Sequence, residues 1–113
     1  MLRSVVHINF SDTDRQRHGL KNLTNILNEV NGEAEIAVVC HGQGIGLLVK
    51  VRSEHSTEIE ELCQRGVKFL GCENTMKSES LSKQDLLECV DTVASGAVEI
   101  IRKQQDGFAY FRP

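Results

Sequence analysis

Cys72, His41, Asn74 and Ser95 are the residues of this chain whose types and placement could carry chemistry. Cys72, His41 and Ser95 each stand at the end of a short apolar run of the kind that forms a strand, and Asn74 follows Cys72 by two. A thiolate is a strong nucleophile. A cysteine that ends a strand and opens a polar segment can have backbone N–H groups facing its sulfur, which lowers its pKa. His41 could act as a base or as a donor to an anionic substrate. A structural reading competes in both cases, since unpaired cysteines are commonly packing residues and turn histidines are commonly satisfied by backbone.

The other chemically capable residues are read as structural. Gly42, Gly44 and Gly46 resemble a dinucleotide loop, but position 47 is Leu, so the GxGxxG spacing fails. They are read as a tight turn where the backbone approaches something closely, with Gly42 and Gly44 at the edge of a ligand site. Cys40 closes an apolar run and belongs to the core, while Cys63 and Cys89 are read as helix packing residues. No CxxC pair is present, so zinc-ribbon and thioredoxin-type sites are not expected. His7 lies inside a strand and reads as buried; His18 and His55 read as solvated helix-face or cap residues. The carboxylates fall mostly on helix faces, which gives no support to a glycosidase pair or a metal centre. Neither a metal nor a cofactor is expected.

Elements of alternating type must position these residues. Val5 to Ile8 reads as a first strand. Ser11 to Asp14 has the form of a helix start, and Leu20, Leu23, Leu27 and Val30 recur at helical spacing up to the stop at Asn31-Gly32. Glu35 to Cys40 is continuously apolar after its first residue, as in a strand buried on both faces. Ile45 to Val51 is ambiguous between helix and strand. Residues 56 to 65 read as a helix with Thr57 and Glu60 as a capping pair and Ile59 and Leu62 facing inward. Val67 to Gly71 is a third strand, ending at Cys72. Residues 73 to 82 read as a polar loop. Ser82 and Asp85 cap a short helix carrying Leu86 and Leu87. Val90 to Ala94 is a brief fourth strand, and Ser95-Gly96 opens a last helix with Val98 and Ile101 inside. Phe108 to Phe111 closes the series as a fifth strand. Such alternation implies right-handed crossovers and a mainly parallel five-stranded sheet with helices on both faces. Ligands of such sheets bind beyond the carboxyl ends of the strands, which is where Cys72, His41, Asn74 and Ser95 fall.

The 113 residues suffice for one domain, 1–113, and 40% hydrophobic content suffices for one core. The net charge of −3, without a basic cluster, argues against a nucleic-acid partner. One Tyr, four Phe and no Trp leave no stacking platform for single strands. No apolar run approaches the about 20 residues of a membrane span. The first residues lack the apolar stretch of a signal peptide, so the cytoplasm, where disulfides are rare, is the expected compartment.

The segments His41-Gly42-Gln43-Gly44, Arg65 to Thr75, Leu87 to Gly96 and Gln105 to Pro113 together resemble the DsrE/DsrF-like family of small sulfur-relay proteins, in its short single-domain branch. The resemblance spans nearly the whole chain. It implies a flavodoxin-like three-layer α/β sandwich and symmetric homo-oligomers, trimers or hexamers. It also implies that the cysteine after the third strand, Cys72, accepts or passes persulfide sulfur, with donor and acceptor proteins as partners. His41 matches the glycine-flanked histidine of some members, and Asn74 and Thr75 match the polar pair after the cysteine. Glu73 departs from the pattern of the dedicated relay subunits and opposes thiolate formation by like charge. The function expected is therefore a persulfide carrier or sulfurtransferase-like protein. The alternative is an oligomeric module that binds a small ligand or protein without catalysis.

Overall fold

The apolar run ahead of His41 becomes the middle strand of a five-stranded sheet in the computed structural model, which describes residues 1–113. The strands are β1 (Leu2–Ile8), β2 (Ala34–Cys40), β3 (Lys68–Cys72), β4 (Asp91–Val93) and β5 (Ala109–Phe111), in the order β4-β3-β2-β1-β5. Every pairing is parallel. The helices are α1 (Thr13–Glu29), α2 (Ser56–Gln64), α3 (Glu73–Ser78) and α4 (Gly96–Gln105), with 3₁₀ helices at Gly42–Leu48 and Lys83–Asp85. The architecture is the expected α/β sandwich with helices on both faces.

The strand order explains how the layers are filled. From β1 to β4 the chain steps steadily across the sheet, so right-handed crossovers keep its helices on one face. Leu20, Leu23 and Leu27 of α1 and Ile59 and Leu62 of α2 there bury Val6, Ile8, Val38 and Phe69 in the main core. The return from β4 to β5 runs the other way, so α4 lands on the opposite face. There Ile100 and Phe108 pack with Val5, Ala37, Val39 and Leu70 in a second, smaller core.

Several local expectations are corrected. The stretch after Cys72 is not a loop: it is α3, anchored by its one buried apolar residue, Met76. The ambiguous segment after the glycines is a 3₁₀ helix that buries Ile45, Leu47 and Leu48. Ser82 and Asp85 do form a capping box, but on a single 3₁₀ turn that ends before Leu86 and Leu87. Helix α1 is capped by Asp12, which accepts from the Arg15 N–H, and not by Ser11. Thr57 and Glu60 lie inside α2, whose cap position is His55. His55 is buried rather than solvated, because its Nε2 is held by the Thr13 hydroxyl and carbonyl. On α4, Val98 and Ile101 are exposed and Ile100 is the buried residue. The helix is rotated from the expected orientation because Gly96, four residues before Ile100, must also face the sheet.

Candidate functional site

Cys72 is the last residue of β3 and the residue before α3, so its side chain is fixed by the sheet while its sulfur meets the start of a helix. It is only 5% exposed. The side chain points to the α4 side of the sheet, where the backbone N–H of Gly96 donates to Sγ at 3.3 Å. Burial pushes the thiol pKa up. Hydrogen bonding from the Thr75 and Gly96 backbone, the Thr75 hydroxyl and the Asn74 backbone outweighs burial and holds it below the ordinary thiol value. Glu73 does not reverse this: its carboxylate accepts from the Thr92 hydroxyl at 2.7 Å, on β4. The negative neighbour anticipated from the sequence is thus held by the sheet edge.

The donors are positioned by the glycine and serine residues around them. Gly96 has no Cβ because a Cβ would sit 3.1 Å from that of His41 and 3.3 Å from that of Cys72. Its bareness lets the start of α4 rest on both. Ser95 caps α4 by accepting from the Val98 N–H, which fixes the turn that carries the Gly96 N–H. Gly42, at φ +54°, donates its N–H to the Thr75 hydroxyl oxygen at 2.9 Å, leaving the Thr75 hydrogen to point at sulfur. Gly44 plays a different part. A Cβ there would lie 2.2 Å from the carbonyl oxygen of Ile8, so it is the close approach of the turn to β1 and faces no site. Asn74 is exposed and contributes backbone rather than side chain.

His41 follows β2 and lies beside Cys72, since Cys40 pairs with Gly71 in the preceding register position. Its Nε2 is 2.6 Å from Nε2 of His7, and the two rings are nearly parallel. His7 Nδ1 is in turn 2.7 Å from the Tyr110 hydroxyl. Two facing ring nitrogens can share one proton but cannot both carry one without losing the bond. Burial lowers the pKa of His41. Burial, with His41 and Arg112 nearby, lowers that of His7. Tyr110, His7, His41 and Cys72 therefore form one row along the carboxyl edge of the sheet, with Arg112 held at its end by Asn9. No cluster of three His, Cys, Asp or Glu residues is arranged to hold a metal ion.

A family model described as DsrE/DsrF-like matches residues 4–113. The chain belongs to the DsrE/DsrF-like family. A solved structure, the protein of unknown function MTH1491 from Methanobacterium thermoautotrophicum, is similar at 36% sequence identity and a TM-score of 0.95, with both chains covered in full. No curated protein matches the chain. No helix is long and apolar enough to cross a membrane.

Within this DsrE/DsrF-like domain, the structure brings Cys72, His41, Gly42, Thr75 and Ser95 to one place and leaves Gly44 outside it. His7 and Tyr110 join the row without having been expected there. His7 lies on the α4 face with Val5, and Tyr110 pairs in register with Val5. The alternation along β1 carries part of that signal, but β5 had to be known as the neighbour of β1 for it to be used.

Proposed function

We propose that this DsrE/DsrF-like protein is a persulfide carrier whose working residue is Cys72. The observation that supports it best is the set of donors on one sulfur: the Gly96, Thr75 and Asn74 backbone groups and the Thr75 hydroxyl. Such a cradle stabilises a sulfur anion and therefore favours both an attacking thiolate and a departing one.

In the first step the Cys72 thiolate attacks the outer sulfur of a donor persulfide. A bond forms between Cys72 Sγ and that sulfur, the donor S–S bond breaks, and the donor leaves as a thiolate. In the second step an acceptor thiolate attacks the outer sulfur, and Cys72 departs as the thiolate it was. No net oxidation occurs, so the reaction needs no redox cofactor. The role assigned to His41, adjacent to Cys72 and hydrogen-bonded to His7, is to protonate the donor thiolate as it leaves in the first step and to take the proton of the acceptor thiol in the second, with His7 sharing the proton between them. The partners are donor and acceptor proteins in a reducing, cytoplasmic setting, together with further copies of the chain. Exposed Val98, Ile101 and Tyr110 support self-association.

The test is mass spectrometry of the protein after incubation with a persulfide donor and alkylation. The expected result is one additional sulfur atom on Cys72, removed by a thiol acceptor and absent from Cys72→Ser. Loading of another cysteine while Cys72 stays unmodified would overturn the proposal.

A further inference from the structure

Cys63, in the last turn of α2, and Cys89, in the turn ahead of β4, take no part in the site above. Their sulfurs are 2.6 Å apart, and the Cys63 thiol also approaches the Cys89 carbonyl oxygen at 3.7 Å. A disulfide places its sulfurs about 2.0 Å apart, so closing the bond asks for a movement of roughly half an ångström. Cys89 is exposed, whereas Cys63 is partly covered. Cys89 also lines a surface cleft of about 550 Å³ with Lys50, Glu60, Gln64, Leu87 and Glu88, which gives a small disulfide compound room to reach it. The pair is remote from Cys72: Cys72 pairs with Val93 at the carboxyl end of β4, and Cys89 precedes that strand's first residue.

We propose that Cys63 and Cys89 form a second thiol site, a redox-active pair that reacts with a low-molecular-weight disulfide and closes to an intramolecular disulfide. Exposure assigns the first step to Cys89. Its thiolate attacks one sulfur of the small disulfide, a Cys89–S–S–R bond forms, and one small thiolate leaves. Cys63 then gives its proton to solvent and attacks Cys89 Sγ, expelling the second small thiolate. The protein gives up two hydrogens and two electrons, and the small disulfide is reduced to two thiols. Burial, Cys89, Asp91 and Glu60 together push the Cys63 thiol up to about 12, so it is protonated and leaves the first attack to Cys89; once Cys89 is held in the mixed disulfide, its share of that shift is gone and Cys63 can lose its proton. The closed bond ties the end of α2 to the entry of β4 across a separation of 26 residues. The site is independent of the sulfur-carrier reading of Cys72.

The experiment is incubation of the full chain with oxidised glutathione, quenching with N-ethylmaleimide, and peptide mapping. The expected product is a Cys63–Cys89 cross-link, reversed by dithiothreitol and formed equally in Cys72→Ser. Cys63→Ser should instead stop at glutathione bound to Cys89, and Cys89→Ser should give no product at Cys63. Wild-type protein that keeps both thiols open to alkylation, or that holds glutathione on Cys89 without Cys63 displacing it, would overturn the proposal. Because the wild-type chain carries the decisive reading, misfolding of a variant leaves the outcome clear.

Discussion

The reactivity assigned to Cys72 rests on donors, not on histidine, and the two contributions can be separated. Thr75 links Gly42 to the sulfur through its hydroxyl. Thr75→Val keeps the shape and removes that hydroxyl. Loss of one hydrogen bond to a charged group should slow alkylation of Cys72 at neutral pH by roughly three- to tenfold. His41→Ala should leave the thiol pKa nearly unchanged, because no charge on His41 contributes to it. It should still slow sulfur transfer, measured as the rate of persulfide loading. The histidines have their own signature. Both folded-state pKa values lie below the ordinary 6.5, so the native state resists protonation. The stability this represents is complete above about pH 6.5 and is lost as pH falls through the lowered folded values. His7→Gln should flatten that acid-side loss in chemical denaturation curves recorded across pH 4 to 7 (roughly the histidine range).

At the scale of elements, two glycines permit close packing by what they lack, Gly44 against β1 and Gly96 against the site. Gly44→Ala would drive a methyl group to 2.2 Å from the Ile8 carbonyl oxygen, a contact only backbone movement can relieve. A loss of about 1–3 kcal/mol, or somewhat more, is expected in denaturant unfolding. Gly96→Ala meets the Cβ atoms of His41 and Cys72, both pinned to the sheet, so the start of α4 has to lift. The Gly96 N–H then leaves Sγ, and the pH midpoint of Cys72 alkylation should rise. These elements differ in how plainly the sequence announces them. The apolar run of β2 and the periodic leucines of α1 identify themselves. Helix α3 does not, because six residues with one apolar anchor look like a polar loop. The face of α4 is equally hidden: Val98 and Ile101 have helical spacing, and so do Gly96 and Ile100. Only the need to bring Gly96 onto Cys72 decides between them. The cysteine and its histidine neighbour were legible because both sit at ends of recognisable strands. His7 and Tyr110 were not, because their meeting depends on β1 lying between β2 and β5.

For the whole molecule, the decisive feature is the imbalance between its two faces. One side of the sheet carries α1, α2, α3 and the longer 3₁₀ helix over the larger core. The other carries α4 alone. A ten-residue helix is about 15 Å long and about 10 Å wide, whereas five strands spaced by about 4.8 Å span roughly twice that width. One helix therefore leaves sheet uncovered beside it. On the β1–β5 side, that uncovered strip carries His7 and Tyr110, with His41 at its inner edge against the start of α4. The outward face of α4 shows Val98 at 44% and Ile101 at 55% exposure, and Tyr110, beside His7 on the same side of the sheet, is 45% exposed. A second copy packed here would bury these side chains and roof the row beside Cys72, so self-association and sulfur chemistry would share one surface. Val98→Glu combined with Ile101→Glu places two charges on that face without touching either core. In sedimentation velocity the wild-type chain should run as a multimer and the double variant as a monomer with an unchanged circular dichroism spectrum. If assembly also roofs the row, the variant's Cys72 should be alkylated faster than the wild type's, since water and reagent then reach it from the open side. A wild-type chain that sediments as a monomer would separate the two ideas, leaving the thiol site intact and removing the shared interface.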